Sequence, residues 1–354
     1  MKIRKSYYKT IGKHIIVWTL AFALFNFLRE YGQEIVRDVK EVDDFDLTKR
    51  IIFQTLLGLV SGFLFGTYAY WFHRFKFPKI SFGKVIFIGA LGYSLVIFLF
   101  IIIAFWSFAN VFKADIDPEV VKNYFVSGQA WVLIIFCFLI GFLIEFVEEI
   151  DKKFGPGNLL KMLSGKFYRP KQEERVFMFL DMRSSTTVAE WLGHIRYSKL
   201  IQDCFKDISV VVAHNAQIYQ YVGDEAVLTW SKKSKNFRYK DCIDAYYAFA
   251  KRLEDRKEHY CKKYGLLPEF KAGVHSGIVT VAEVGEIKRE IAYHGDTINT
   301  AARIQAQCNT YKENLLVSED VVKNLDSEQD WDIEEKGIVM LKGKTNKIKI
   351  YSIN

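Results

Sequence analysis

Four long apolar runs occupy the first 145 residues of this 354-residue chain and constrain its fold more than any other feature. The runs cover residues 15–28, 51–72, 85–109 and 124–144. A membrane-spanning helix needs about 20 apolar residues, and the last three runs reach this length without an internal Lys, Arg, Asp or Glu. The first run is shorter. It either spans, with Lys13 and Arg29 extending to the interface, or lies in the interface as an amphipathic anchor.

We therefore expect an all-α transmembrane domain over residues 1–145, with spans at about 11–28, 51–72, 85–109 and 124–144. The connecting charges predict its orientation, because cytoplasmic loops are enriched in Lys and Arg. Basic residues without acidic ones precede the first run and follow the second: Lys2, Arg4, Lys5, Lys9, Lys13, Arg74, Lys76, Lys79 and Lys84. The other two connections are mixed or acidic. This pattern predicts a multi-pass protein of the inner (plasma) membrane, with the lipid bilayer as a partner and the N terminus and the segment after the fourth span in the cytoplasm.

Composition excludes several other classes. The net charge is +8, but the excess Lys and Arg lies beside the apolar runs, so we expect no nucleic-acid partner. The five cysteines form no CxxC pair, which argues against a disulfide framework and a zinc site. The polar groups noted inside the runs are Gln54, Gln129 and aromatic hydroxyls, which favours an anchor or a sensor over a transporter.

The pattern changes after residue 144. A charged segment beginning at Glu145 continues the fourth helix as a polar stalk until Gly155-Pro156-Gly157 interrupts it. We assign residues 146–172 to a helical stalk and linker and residues 173–354 to a cytoplasmic catalytic domain.

Strand and helix patterns alternate in this second half. A buried strand at Val176–Leu180 precedes a helix, and two strands flank the turn Gly223-Asp224. A charged helix at about 240–264, a strand pair turning near Ser276-Gly277, another strand, a helix at 297–307 and a hairpin around Gly343 follow. This β-α-β-β-α-β order with additions predicts a ferredoxin-like α+β fold.

Two acidic residues lie at the ends of predicted strands. Asp181 follows the buried strand, and Asp224 lies in the hairpin turn. Each alone has an ordinary explanation, because Asp is common in caps and turns. If the hairpin lies beside the first strand, however, the two carboxylates converge. Oxygen ligands of this kind suit two Mg²⁺ or Mn²⁺ ions bridging a nucleoside triphosphate.

A third pattern lies on the helix predicted at 297–307. Asn299 and Arg303 are four residues apart, so their side chains emerge from one face. Alone they would be an ordinary surface pair. Beside two converging carboxylates, an amide and a guanidinium could orient a sugar and hold the charge that develops in phosphoryl transfer.

Five segments, in order, resemble the class III adenylate/guanylate cyclase catalytic domain: Phe179–Thr186, Tyr221–Asp224, His275–Gly277, Gly295–Arg303 and Leu341–Lys344. The resemblance covers about residues 175–354, roughly half of the chain. It implies an enzyme that converts a nucleoside triphosphate into the 3′,5′-cyclic monophosphate and pyrophosphate. It also implies that sites form between two catalytic domains, so that this chain works as a head-to-tail homodimer.

The resemblance further implies roles for individual residues. Asp181, Asp224 and the Met182 carbonyl would bind two Mg²⁺ or Mn²⁺ ions per site, and Asn299 and Arg303 would act in the transition state. The expected phosphate-binding groups are the amides of Arg183, Ser184, Ser185 and Thr186 and the side chains of Lys342 and Lys344.

The positions that usually select the purine depart from the family pattern. They are Gln220, where Lys or Glu is usual, and Ala292, which offers no side-chain hydrogen bond. Base discrimination depends on complementary buried hydrogen bonds, so the sequence leaves ATP and GTP open. We expect ATP as the substrate and adenylate cyclase activity.

Several alternatives remain beside this interpretation. The protein could be a guanylate cyclase, or a nucleotide-binding sensor that has lost activity, although all four of Asp181, Asp224, Asn299 and Arg303 are present. A diguanylate cyclase would call for a GGDEF-like turn, which differs from Val222-Gly-Asp-Glu-Ala. The sequence contains no P-loop motif and no HxxxH spacing of its histidines, which argues against a P-loop ATPase and zinc catalysis.

Overall fold

A computed structural model describes residues 2–37, 47–74, 81–111, 118–126, 128–155, 157–325, 331–340 and 347–354 of the chain. The chain divides into two compact units, Met1–Phe154 and Gly155–Asn354. The division falls where the sequence predicts that Gly155 interrupts the stalk. The described part of the first unit is helical, and that of the second combines helices with one sheet.

The described residues of the first unit form four long helices and one short helix. They are α1 (Lys2–Arg37), α2 (Leu47–Arg74), α3 (Phe82–Val111), α4 (Pro118–Val126) and α5 (Gln129–Phe154). Four segments are long and apolar enough to cross a membrane: Tyr7–Leu28, Thr55–His73, Phe82–Ile103 and Ala130–Phe154. The apolar segment of α1 is therefore longer than the 14 residues of the first apolar run, because it also includes residues 7–14, which precede the run.

The fourth apolar run differs from its prediction. Instead of one helix over 124–144, the structure has α4 ending at Val126 and α5 beginning at Gln129. Gly128 between them has a left-handed backbone (φ 84°), which L-residues with a side chain rarely adopt and which separates the two helices. Helix α5 continues past the apolar run to Phe154, because the Glu and Lys residues of the stalk are good helix formers.

Helices α1 and α2 pack closely through a row of small residues. Gly58, Gly62 and Gly66 of α2 face α1, and a Cβ atom added at Gly62 would lie 2.5 Å from the Cα atom of Ile15. Small residues at this spacing let helix backbones approach in membranes. Large aromatic side chains fill the adjacent interior, among them Trp18, Phe22, Phe65 and Tyr93.

We expect Gly62→Ala to destabilise the first unit by about 1–3 kcal/mol, because the added methyl group forces α1 and α2 apart. The measurement is thermal unfolding of the full chain in detergent, followed by the helical circular dichroism signal. The matched control is Gly12→Ala, since a Cβ atom there meets nothing within 4 Å. A Gly62→Ala protein that unfolds at the same temperature as Gly12→Ala contradicts the packing described here.

The second unit is built on one eight-stranded sheet. The strands are β1 (Lys171–Met182), β2 (Gln217–Val222), β3 (Glu225–Ser231), β4 (Phe270–Val284), β5 (Glu290–His294), β6 (Leu315–Ser318), β7 (Ile333–Met340) and β8 (Lys347–Ile353). Their order is β2-β3-β1-β4-β6-β8-β7, with β5 paired to β4. Neighbours are antiparallel except β4 and β6, which run parallel.

The helices of this unit are α6 (Asn158–Leu163), α7 (Ser185–Asp207), α8 (Tyr239–Glu254), α9 (Lys257–Tyr264), α10 (Asp296–Tyr311) and α11 (Glu319–Val322), with a 3₁₀ helix at Ile208–His214. The order β1-α7-β2-β3-α8/α9-β4, with β1 lying between β3 and β4, is the expected split unit. The α+β fold predicted from the sequence is confirmed.

Two local predictions were wrong. Ser276-Gly277 is not a turn, because β4 runs straight through it. Gly277 instead allows a close approach, since a Cβ atom there would lie 2.5 Å from the Thr297 Oγ1 atom on α10. The charged helix expected at 240–264 is two helices, with α8 ending at Glu254 and α9 beginning at Lys257.

Alternation along β1 distributes its side chains between two faces of the sheet. Val176, Met178 and Leu180 belong to a core with α7, α8 and α9. Phe177 and Phe179 pack on the other face, against residues of α10. Because strand side chains alternate, the next odd-numbered residue, Asp181, also lies on the α10 face.

Candidate active site

Asp181 is held by a strand neighbour and by α10. Its Oδ2 atom accepts a hydrogen bond from Gln305 Nε2 at 3.0 Å and lies 3.1 Å from Lys271 Nζ. Lys271 stands opposite Asp181 in the β1–β4 register, so both side chains point to the same face. Lys271 and Gln305 are both buried, and Lys271 also donates to Asn309 Oδ1 at 3.3 Å.

The condition set by the sequence for a metal site is met. The β2–β3 hairpin lies beside β1, and Glu225 stands directly opposite Asp181 in the β1–β3 register. Asp224 occupies the turn immediately before Glu225. The Asp224 Oδ2 atom is buried and has no hydrogen-bond partner in the described part of the chain.

The electrostatics of this corner reflect its three carboxylates. Burial raises the pKa of Asp181, and the charge of Asp224 raises it further, while Lys271 and Gln305 act in the opposite direction. Burial, together with the charges of Asp181 and Asp224, raises the pKa of Glu225 to about 7. The corner therefore carries more negative charge than the nearby Lys271 compensates.

These residues fit a divalent cation. A buried carboxylate oxygen without a partner and an excess of negative charge are what a hard cation with oxygen ligands would satisfy. Over the described residues, no three His, Cys, Asp or Glu side chains are arranged to hold a metal ion. Two carboxylates would thus need further oxygen ligands, such as the expected Met182 carbonyl and the phosphates of a nucleotide.

The turn after β1 is conformationally unusual. Ser184 has a left-handed backbone (φ 52°), which is uncommon for a residue with a side chain, and α7 begins at the next residue. The start of α7 directs the amides of Ser185 and Thr186 outward, as at helix termini that bind anions. The Arg183 amide is already engaged, because it donates to the Glu269 carbonyl at 2.9 Å.

The side chain of Arg183 is also occupied within its own chain. Its guanidinium donates to Asn314 Oδ1 at 2.8 Å and to the Glu313 carbonyl at 2.6 Å. Of the four amides expected to bind phosphate, those of Ser184, Ser185 and Thr186 thus remain the candidates at the start of α7. Lys342 and Lys344 lie outside the described residues.

Tyr197 of α7 lies near this turn and the second carboxylate, since Ser185 and Asp224 both influence the pKa of its hydroxyl. Burial and the Asp224 charge raise the pKa of Tyr197 to about 12, so the hydroxyl stays protonated and can donate to the carboxylate. Sequence reasoning missed Tyr197, Lys271 and Gln305, because no spacing motif connects them to Asp181 or Asp224.

Asn299 and Arg303 lie on α10, as predicted, but on a different side from Gln305. The side chain of Asn299 is exposed and that of Arg303 is half-buried, whereas Ala301, Ile304 and Gln305 are buried. At 100° per residue, Arg303 is turned by about 160° from Gln305 around the helix axis. Within one chain, the face of α10 that contacts Asp181 is not the face that carries this pair.

The residues next to the two purine-selecting candidates, Tyr219 and Tyr293, contact each other. Tyr293 donates its backbone N–H to the Tyr219 hydroxyl at 3.3 Å, and the two rings are 4.9 Å apart. Gln220 follows Tyr219 and is exposed at an irregularity of β2, and Ala292 precedes Tyr293 and is half-buried opposite Ala282. The sequence did not reveal this tyrosine contact.

Comparison with known proteins places this geometry in a family. Residues 167–354 match the family of the adenylate and guanylate cyclase catalytic domain. The chain belongs to this class III cyclase family.

The relatives of this chain include two proteins described as adenylate cyclases. Adenylate cyclase 2 of Rhizobium meliloti (strain 1021) is 32% identical over 211 residues, which are 59% of this chain and 58% of that protein. The adenylate cyclase of Anabaena cylindrica is 26% identical over 182 residues, covering 50% of this chain and 36% of that protein. The chain thus matches less than two thirds of the length of either relative.

A solved structure supports the fold alone. A bacterial light-regulated adenylyl cyclase superposes with a TM-score of 0.53 at 18% sequence identity, covering 61% of this chain and 63% of that chain. The cyclase family and the fold class expected from the five sequence motifs are therefore confirmed.

Proposed function

We propose that the protein is a membrane-bound adenylate cyclase, converting ATP to 3′,5′-cyclic AMP and pyrophosphate at sites shared by two copies of the chain. The observation that carries the proposal is the convergence of Asp181 and Asp224 beside the start of α7, with one Asp224 oxygen buried and unpaired. The family match and the relatives described as adenylate cyclases support the reaction class and the substrate.

Asp181 and Asp224, with the Met182 carbonyl, would hold two Mg²⁺ or Mn²⁺ ions. When bound, such ions neutralise phosphate charge and lower the pKa of the attacking 3′-hydroxyl. The chain's own groups prepare this corner. Lys271 and Gln305 hold the Asp181 carboxylate in place, and the protonated hydroxyl of Tyr197 lies near Asp224. The amides of Ser184, Ser185 and Thr186 would receive phosphate oxygens, as would Lys342 and Lys344.

Ring closure joins two groups of one molecule, so much of the barrier falls when the 3′-oxygen is held in line with the α-phosphorus. Arg303 would stabilise the negative charge that grows on the transferring phosphate, and Asn299 would orient the ribose. Because this pair lies on a different face of α10 from the one that contacts Asp181, we propose that it serves the site of a second copy. A head-to-tail homodimer would then contain two equivalent sites.

The proposed reaction predicts that membranes carrying the protein, supplied with Mn²⁺ and ATP, form cyclic AMP faster than cyclic GMP from GTP under the same conditions. Asp181→Ala should reduce product formation at least about 100-fold, because it removes a metal ligand. The matched control is Asp255→Ala, an exposed carboxylate paired with Lys251, which should retain activity.

Other results would select the alternatives. Faster cyclic GMP formation would indicate a guanylate cyclase, with Gln220 and Ala292 permitting guanine. Absence of either product from a folded protein would indicate a nucleotide-binding sensor. Equal activity of Asp181→Ala and the unsubstituted protein would refute the assigned metal site.

The shared site predicts complementation between two inactive variants. Asp181→Ala and Arg303→Ala should each be inactive as homodimers. Co-expressed in equal amounts, half of the dimers should be mixed, and one of the two sites in each mixed dimer is intact. We therefore expect about a quarter of the unsubstituted activity, measured as cyclic AMP per molecule. Activity no higher than that of the separate variants would show that each site is formed by one chain.

We also propose that the four apolar helices anchor the protein in the plasma membrane, with the N terminus and the cyclase unit in the cytoplasm. The support is their length and apolar composition, together with the basic segments at the N terminus and after the second run. The exposed Cys261 provides a probe, because the other four cysteines are buried.

A membrane-impermeant maleimide should label Cys261 in inverted membrane vesicles but not in intact cells. The control is Cys261→Ser, which should abolish the labelling. Labelling of Cys261 in intact cells would place the cyclase unit outside and overturn the proposed orientation.

A further inference from the structure

A polar cluster lies inside the helical first unit, where the apolar sequence runs did not predict charged groups. Titratable side chains from four helices contribute to it: Lys13 and His14 of α1, Tyr68 and His73 of α2, Tyr93 of α3, and Glu145 and Glu148 of α5. The two tyrosines lie inside the second and third runs, whereas the Lys, His and Glu residues lie just beyond the ends of the runs. The helices nevertheless continue through these positions, so the groups belong to the packed bundle.

Glu145 is the centre of the cluster. Its side chain is fully buried, and its Oε1 atom accepts a hydrogen bond from the Tyr93 hydroxyl at 3.4 Å. The Oε2 atom lies 3.4 Å from His73 Nε2, an ion-pair distance without the alignment of a hydrogen bond. The backbone of α3 presses on it, since a Cβ atom added at Gly89 would lie 2.7 Å from Glu145 Cδ. Glu145 therefore has no room to reach solvent by a simple rotation.

Glu148 is the second carboxylate of the cluster. It lies 2.6 Å from Lys13 Nζ and 2.9 Å from His73 Nε2. The cluster thus contains two carboxylates but only one permanent cation, Lys13. The cluster as a whole is neutral only when it holds one further proton. Binding this proton is favourable because an uncompensated charge buried away from water is costly. The His73 Nε2 atom, which lies 3.4 Å from Glu145 Oε2 and 2.9 Å from Glu148 Oε2, is available to hold it.

A second imidazole lies beside this pair. His14 is 1% exposed and is stacked on Tyr93 with ring centroids 6.1 Å apart. Neither ring nitrogen of His14 has a hydrogen-bond partner in the described part of the chain.

The position of the cluster along the helices connects it to the cyclase unit. Lys13 and His14 lie in the first half of the first apolar segment, His73 ends the second, and Glu145 and Glu148 lie in the second half of the fourth. In spans that alternate in direction, these positions share one end of the bundle, which the basic segments assign to the cytoplasm. Helix α5 carries both glutamates and continues without interruption to Phe154, and the cyclase unit begins at the next residue.

We propose that this cluster is a proton-binding site through which the pH at the cytoplasmic face of the membrane controls α5 and, through it, the cyclase unit. The inference rests on the proposed cyclase function. With the proton bound, the His73 imidazolium holds α2 against both glutamates of α5. Without it, a neutral imidazole no longer attracts the two carboxylates, and the buried Glu145 lacks a cationic partner, which favours a position of α5 in which Glu145 is better solvated.

The test uses the full chain in phospholipid vesicles, with cyclic nucleotide formation measured from pH 5.5 to 8.5. For each variant, the activity is divided by that of the unsubstituted protein at the same pH, so that ionisations of the cyclase unit itself cancel. Glu145→Gln keeps the size of the side chain but removes the negative charge that favours protonation of His73. Removing this charge should lower the pH at which the cluster is half protonated by about one unit. We therefore expect the activity ratio of the variant to change about tenfold across this range.

The matched control is Glu149→Gln, the same substitution on the same helix in a residue paired with Lys152. Its activity ratio should not vary with pH. Glu148→Gln is a second test variant, since Glu148 also contacts His73 and its side chain is 20% exposed, which makes the substitution easier to accommodate. It should move the transition in the same direction as Glu145→Gln.

A direct measurement separates proton binding from enzyme activity. In ¹⁵N-histidine-labelled protein, the ring signal that His73→Asn removes should titrate, and Glu145→Gln should move its midpoint to lower pH. A His73 signal that does not titrate, or activity ratios of both test variants that stay constant with pH, would overturn this inference alone. Absence of cyclic nucleotide at every pH would instead overturn the proposed function, and with it the control of a cyclase.

Discussion

The cyclase unit depends on the antiparallel pairing of β1 with β3, which gathers three carboxylates at one corner of the sheet. Register fixes Glu225 opposite Asp181, and the hairpin turn adds Asp224 beside them. Burial, followed by repulsion from the neighbouring carboxylates, raises the pKa values of Asp181 and Glu225, which shows that bringing these groups together is costly. Only a firmly packed fold keeps such groups together, as is usual where a site is built for binding rather than for stability.

Apolar cores on both faces of β1 hold this strand in place. Even-numbered residues of β1 pack against α7, α8 and α9, and odd-numbered ones pack against α10. Asp181 continues the odd-numbered series at the end of the strand, so its position follows from the period of the strand. The alternation of β1, the hairpin and the order of the split unit could therefore be predicted from sequence, and with them the convergence of the two aspartates.

The partners of those aspartates could not be predicted in the same way. Lys271 reaches Asp181 because of the β1–β4 register, and Gln305 reaches it from α10, which packs on the same face of the sheet. Each contact joins residues far apart in sequence, and no local pattern specifies it. Gly277 illustrates the opposite error. A glycine after a serine resembles a turn, but here it makes room for Thr297 in a continuous strand.

The same difference between local pattern and packing applies to the helical unit. Apolar runs locate the spans, but they exclude Glu145 by definition, since a run ends at the first charged residue. The helix does not end there, because backbone hydrogen bonding continues through polar residues as readily as through apolar ones. A buried glutamate facing His73 thus becomes visible only when four helices are packed together.

Helix α10 connects the two kinds of groups that the proposed reaction needs. On one side, Gln305 contacts Asp181 and Asn309 contacts Lys271, while Asn299 and Arg303 lie on a face of the same helix turned away from Gln305. In the proposed homodimer, this rigid element would fix a metal ligand of one site and the transition-state residues of the other. A displacement of α10 against its own sheet would then alter both sites together. The two sites of the dimer would accordingly be coupled through α10 itself, without further contacts between them.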